Sequence, residues 1–269
     1  MSPAQRLSRN HGGYRGEPLD LDAVLRDVLA AAQRSGWDVE ELPVSESSRL
    51  LALRRRVAQP SRRLYLSTGI HGDEPAGPLA VRDLLQADRW PRDTDVWLCP
   101  CLNPTGFPLN RRANAVGFDL NRDYRHLETP EIRAHVEWLQ RQPEFDLTLC
   151  LHEDWEAHGF YLYELNPDQQ PSLAERIVEA VAAVCPIDPS PEIEGRPAQG
   201  GIIRPDLDPA KRPQWPEAFY LVCHKTRHSY TLEAPSDFAL PVRVAALVAA
   251  VRAALQAGSG LKLEARDCR

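Results

Sequence analysis

The chain has 269 residues, long enough for one sizeable core, and its 26% charged and 43% hydrophobic residues are an ordinary balance for a globular protein. A formal charge of -6 supplies no global basic field to recruit nucleic acid. No apolar stretch reaches the roughly 20 residues that span a bilayer, and residues 1–16 lack the apolar centre of a secretory signal.

Residues 19–34 place Leu21, Val24, Leu25, Val28 and Leu29 at helical spacing, and Gly36 ends the run. Segments 50–57 and 63–70 read as strands, and the Arg54-Arg55-Arg56 run on the first fits a solvated sheet edge. A helix is expected over 75–86 with Pro75 in its first turn, followed by a buried strand over 96–101. Thr129 and Pro130 mark another helix start, as N-cap and first helical residue. A strand over 145–151, a helix over 172–184, a strand over 229–232 and a closing helix over 239–256 complete the alternation. Strands separated by helices imply an α/β sheet covered on both faces. Segments 103–125 and 186–216 are irregular and proline-rich, as long functional loops are. No internal repeat or composition shift marks a linker, so residues 1–269 are read as a single domain, with 1–16 flexible and 259–269 a tail. The cysteines, Cys99, Cys101, Cys150, Cys185, Cys223 and Cys268, form no CxxC pair, and four lie in apolar runs. Without an export signal they read as reduced thiols of a cytoplasmic protein.

The sharpest chemical signal is Thr68-Gly69-Ile70-His71-Gly72-Asp73-Glu74. A strand ends in glycine, and a histidine and a glutamate follow three residues apart, at the carboxyl end of a strand where open α/β sheets bind ligands. An imidazole nitrogen with a carboxylate oxygen suits zinc, although HxxE alone also arises on ordinary surface loops. Cys150-Leu151-His152 then puts a second histidine at the end of an apolar strand. Two histidines and one carboxylate are the three protein ligands of a catalytic zinc that keeps a position for water.

Asn103-Pro104-Thr105-Gly106, Arg112 and Asp119-Leu120-Asn121-Arg122 stand between these two signals, and Tyr230-Thr231-Leu232-Glu233 follows. In this order the set resembles the zinc carboxypeptidase family, the carboxypeptidase A-like metallopeptidases and their murein-peptide-amidase relatives, over roughly residues 71–255. The resemblance implies a three-layer α/β/α sandwich with a mixed, mostly parallel twisted sheet, and one zinc per chain on His71, Glu74 and His152. It implies that Asp119 orients the first histidine, that Arg112 stabilises the oxyanion, and that Asn121 and Arg122 clamp a terminal carboxylate. Glu233 matches the general base that passes a proton from water to the leaving amine. Arg112 or Arg122 taken alone is more commonly a surface salt bridge, and a lone histidine after a strand more often a satisfied structural residue; the ordered set reverses that preference.

Thr105 departs from the aspartate usual at its position, Asp123-Tyr124 stand where many members have Asn-Phe, and no tyrosine lies between Tyr163 and Tyr220, where many members carry a mobile one. Tyr220 is a substitute for it by position only. The expected activity is cleavage of the amide beside a free C-terminal carboxylate in a short peptide. The rival in the same superfamily is an aspartoacylase or succinylglutamate desuccinylase, acting on an N-acyl amino acid. That branch usually adds a C-terminal β-domain, and the 36 residues after Glu233 are fewer than such a domain needs. A binding module that kept the carboxylate clamp but lost turnover is a third reading, against which Glu233 and all three ligands are retained.

Overall fold

The computed structural model describes residues 4–9, 16–46 and 48–256. Six helices and ten strands make up the described chain. After α1 (Leu21–Arg34) come β1 (Asp38–Pro43), β2 (Arg49–Arg55), β3 (Arg62–Thr68), α2 (Ala76–Ala87) and β4 (Thr94–Cys99). They are followed by α3 (Pro130–Gln140), β5 (Leu147–Asp154), β6 (Tyr161–Leu165) and α4 (Ala174–Ala182). Three short strands, β7 (Glu192–Ile193), β8 (Arg196–Gln199) and β9 (Ile202–Ile203), precede α5 (Glu217–His224), β10 (Ser229–Pro235) and α6 (Leu240–Gln256).

The sheet runs β1-β2-β4-β3-β5-β10-β6-β9-β8-β7. Its centre, β4-β3-β5-β10, is parallel, while β1, β2, β6 and β8 join their neighbours on the flanks antiparallel. Every residue of β4 and β5 is buried, as strands covered on both faces must be. Alternation along the strands divides the core in two. Leu64 and Leu66, Leu147, Leu149 and Leu151, and Tyr230 and Leu232 pack on one face against α1, α2, α4 and α6. Tyr65, Trp97 and Cys150 face the other way, toward α3 and α5. The result is an α/β/α sandwich.

Several expectations change in detail. Arg54–Arg56 do not lie on a sheet edge, because β1 pairs with β2 on the side away from β4. Arg54 stacks 4.6 Å over Trp97 and Arg55 donates to backbone carbonyls of Pro91 and Thr94. Thr129 does precede α3, but its hydroxyl caps nothing; it donates to Asp123 Oδ2 at 2.6 Å. Asp123 also accepts the N–H groups of Glu128 and Thr129, so the carboxylate is a buried brace for the start of α3. Of the N-terminal stretch expected to be flexible, residues 6–9 are bonded to the turn at Asp237. The tail at 259–269, with Cys268, lies outside the described residues. Cys99, Cys101, Cys150 and Cys185 are buried and unpaired, and Cys223 is exposed.

Candidate metal centre and active site

Strand register builds the site. Alternation turns Thr148, Cys150 and His152 of β5 to the α5 face, and Ser229, Thr231 and Glu233 of β10 to the same face. In the parallel ladder Glu233 stands directly opposite His152. Both lie inside their strands, not beyond the ends as the sequence suggested, because the strands run on to Asp154 and Pro235. Next door, β3 ends at Thr68 and the chain turns through Gly69, whose φ of +65 favours glycine. The turn carries His71 and Glu74 to the start of α2.

This turn is held by the Asn103-Pro104-Thr105-Gly106 segment. Asn103 donates its N–H to the Gly69 carbonyl at 2.8 Å, its Oδ1 accepts the Gly106 N–H, and its Nδ2 donates to the Arg112 carbonyl. A Cβ on Gly72 would lie 2.2 Å from the Gly106 carbonyl carbon, so the two turns pack backbone to backbone. The Thr105 hydroxyl accepts the Ala115 N–H, which keeps the arginine-bearing loop against the turn.

The donor atoms of His71, Glu74 and His152 all lie within 4.8 Å of one another, and all three residues are buried. Glu74 presents Oε1 to His71 Nδ1 at 2.5 Å and Oε2 to His152 Nδ1 at 3.1 Å. Burial alone would raise the Glu74 carboxyl's pKa, but the two imidazoles more than reverse this and hold it well below the usual carboxylate range. His71 Nε2 lies 3.4 Å from Asp119 Oδ1, at the long end for a hydrogen bond. Asp119 also accepts Arg112 Nε–H at 2.9 Å and the Asn121 N–H at 2.9 Å. One carboxylate thus ties His71, Arg112 and the turn that carries Asn121 together. Arg112 Nη1 reaches to 3.8 Å from Glu74 Oε1.

Asn121 is buried, and its Oδ1 accepts the Glu217 N–H at 2.8 Å at the start of α5, which leaves the amide NH2 for a ligand. Arg122 is exposed and its described hydrogen bond is to the Asn121 carbonyl. Glu233 titrates well above the ordinary carboxyl range. Burial is the main cause, His152 opposes it, and the neighbouring carboxylates of Glu74, Asp154 and Glu194 reinforce it. A carboxyl with raised proton affinity fits a group that accepts and returns a proton near neutrality.

The sequence-derived residues His71, Glu74, Arg112, Asn121, Arg122, His152 and Glu233 all line one cavity of about 540 Å³, within the ~300–1,000 Å³ range of small-ligand sites. Asp119 sits behind it. The cavity is also lined by residues that no sequence motif marks, among them Asp73, whose carboxyl burial lifts to about 6, and Glu194, Arg196 and Arg212 from the proline-rich segment. Tyr161 and Tyr163 line the cavity from β6, donating to Asp154 and Glu194. Tyr220 is not part of it; it packs on Tyr124 and His224 on the far side of α5. Glu153 and Asp154 are both buried. Glu153 accepts the Ala76 N–H at the start of α2 and pairs with Arg243, so it bonds the His152 strand to the helix that follows Glu74.

Comparison with known proteins accords with this geometry. Residues 60–189 match the family model of the succinylglutamate desuccinylase/aspartoacylase catalytic domain, a span that holds His71, Glu74, Asn121, Arg122 and His152 but ends before Glu233. A candidate metallopeptidase from Shewanella denitrificans has the same fold, with TM-score 0.75 and 24% identity over 87% of this chain and 88% of that one. A metallo-carboxypeptidase from Burkholderia cenocepacia superposes with TM-score 0.66 at 18% identity, over 89% of this chain and 69% of that one. The chain thus shares the fold of these metallopeptidase structures, and its residues 60–189 are similar to the succinylglutamate desuccinylase/aspartoacylase catalytic domain. Carboxypeptidase SOL1 of Arabidopsis thaliana is 32% identical over 104 residues, 31% of this chain. The match spans about a fifth of that protein, 21% of its length.

Proposed function

We propose that the chain is a zinc-dependent hydrolase that releases the terminal residue of a short peptide by cutting the amide beside a free carboxylate. The observation behind this reading is convergence: the possible metal donors His71, Glu74 and His152, the Glu233 carboxyl with raised proton affinity, and the Asn121 amide and Arg122 guanidinium line one cavity. The donor set fits zinc, since two imidazole Nδ1 atoms flank one carboxylate whose proton affinity is depressed. A zinc ion on His71, Glu74 and His152 would supply a Lewis acid that polarises the scissile carbonyl and makes water a stronger acid. Arg122 grips the terminal carboxylate, with Asn121 donating from its amide, and this fixes which amide lies beside the metal centre. Arg112, turned by Asp119, donates to the oxygen on which negative charge develops. Glu233 takes the proton of the attacking water and hands it to the departing amine.

A second reading is supported by the matched family model: removal of an acyl group from an N-acyl amino acid, which uses the same residues with the free amino acid as leaving group. No described helix is long and apolar enough to cross a membrane. The unpaired, buried cysteines support a reducing compartment, in keeping with a cytoplasmic enzyme. Elemental analysis of purified protein is expected to give one zinc per chain. His152→Ala should lose the metal, whereas Glu233→Gln should keep it and lose roughly 100- to 10,000-fold in kcat. Full activity after exhaustive chelation would overturn the reading.

A further inference from the structure

α5 stands between two cavities. Ala218 and Phe219 face the cleft of His71, Glu74 and His152, while Tyr220 and His224 face a second, open cavity of about 690 Å³. Four rings line this second cavity in a row: Tyr124, Tyr220, His224 and Trp215, with successive centroids 5.7, 4.7 and 5.9 Å apart. Arg125 and Lys225 line it too, and among the described residues no carboxylate does. Lys225 is only 8% exposed, and its ammonium donates to the Gln142 carbonyl. No described carboxylate is in ion-pair contact with it; Glu144 acts on it only through space.

A bare wall of rings attracts cations. Here two cations already stand beside the rings, with the Arg125 guanidinium 5.9 Å over Trp215, so a third is repelled and an anion is drawn in. A buried ammonium with one acceptor has spare N–H groups and lost hydration, and an anion makes good both. The row of rings adds a flat face on which another planar ring stacks. A small inorganic anion would leave that face wet.

The wall between the two cavities is thin. The Tyr124 N–H donates to the Trp215 carbonyl at 3.3 Å, two residues after Arg122. Trp215 packs edge-on to Phe219 at 5.2 Å, and Gln214, Pro216 and Phe219 line the other cleft. A ligand seated on Tyr124 and Trp215 therefore bears on the junction that carries Asn121 and Arg122.

We propose that this cavity is an effector site for a planar aromatic monoanion, whose ring stacks on the Trp215–His224–Tyr220 wall and whose charge pairs with Lys225. Its occupancy stiffens the junction of residues 121–125 with 213–219.

Titration calorimetry with 2-naphthoate, its amide and its saturated counterpart decahydro-2-naphthoate tests the site. 2-Naphthoate should bind about ten-fold tighter than the amide, and roughly two- to ten-fold tighter than the saturated acid. Lys225→Met should abolish the preference over the amide. His224→Ala, at an exposed position, should weaken 2-naphthoate, and it decides the matter if the lysine variant does not fold. Arg122→Ala should leave the affinity unchanged. Binding lost in Arg122→Ala but kept in Lys225→Met and His224→Ala would place the anion in the other cleft and overturn the site, as would equal affinities for acid and amide. Hydrogen exchange reads the coupling. 2-Naphthoate should slow exchange of amides 121–125 in the wild type and in Arg122→Ala, but not in Lys225→Met. Unchanged exchange there in the wild type would overturn the effector role. Neither measurement needs turnover, so failure of the hydrolase reading would leave both results standing.

Discussion

Asp119 is the residue with most to hold in place. It contacts His71, accepts from Arg112 and caps the turn that carries Asn121. Asp119→Ala should weaken zinc binding by roughly 10- to 100-fold, the usual cost of removing a carboxylate behind a histidine ligand. Competition with a chromophoric chelator measures it, and an unchanged affinity would show that the contact does not orient His71. Asp119 was legible in the sequence because it belongs to a local tetrapeptide of recognisable order. His135 was not. It lies between the hydroxyls of Tyr65 and Tyr124 at 2.8 and 2.7 Å, partners 70 and 11 positions away, so no local pattern marks it. Burial holds its pKa at about 3. The unfolded chain therefore binds the proton more readily, and this neutral histidine's contribution is complete above pH ~6.5 and lost as pH falls toward about 3. Relative to His135→Gln, wild-type stability should fall by about 1.4 kcal/mol per pH unit inside that window. Urea melts at pH 4.5, 5.5 and 7.5 test this, and parallel curves for the two proteins would contradict it.

At the scale of elements, what the sequence showed follows from periodicity, and what it hid follows from its absence. α1, α2, α4 and α6 each bury one side against the sheet and announce it by apolar spacing. α5 escaped notice because Glu217 to Val222 are all buried, which leaves no polar face, and because prolines precede it. β1 shows a single buried residue in six, and β7 to β9 run two to four residues each, so their pairing is set by tertiary contact and not by local pattern. The junction of β3 and α2, which positions Glu74, depends on Gly77. A Cβ there would fall 1.8 Å from Thr68 Oγ1, on a stiff, buried side chain. Alanine would gain about 1 kcal/mol of helix propensity, but overpacking costs roughly 1–3 kcal/mol. Overpacking should win. Gly77→Ala is expected to lower the thermal midpoint and weaken metal binding together, and a stabilised variant would mean that the helix shifts freely away from the strand.

At the scale of the whole molecule, the parallel centre of the sheet brings His152 and Glu233 side by side and sets the 71–74 turn beside them, while the two long irregular segments wall the cleft. The order of motifs along the chain revealed the end of that cleft where His71, Glu74 and His152 meet. The other end, with Arg196 and Arg212, could not be read, because its side chains come together only when segment 192–216 folds against β6 and α5. On the function proposed above, Asn121 and Arg122 grip a free carboxylate and so decide where the substrate is cut. Arg122 stays charged at any working pH. The most direct measurement is kcat/KM for wild type and Arg122→Ala on one peptide prepared as the free acid and as the C-terminal amide. The proposed clamp should give a loss of roughly 10- to 100-fold on amidation for the wild type, a similar loss for Arg122→Ala on the acid, and little further loss for the variant on the amide. Equal cleavage of acid and amide by the wild type would contradict it.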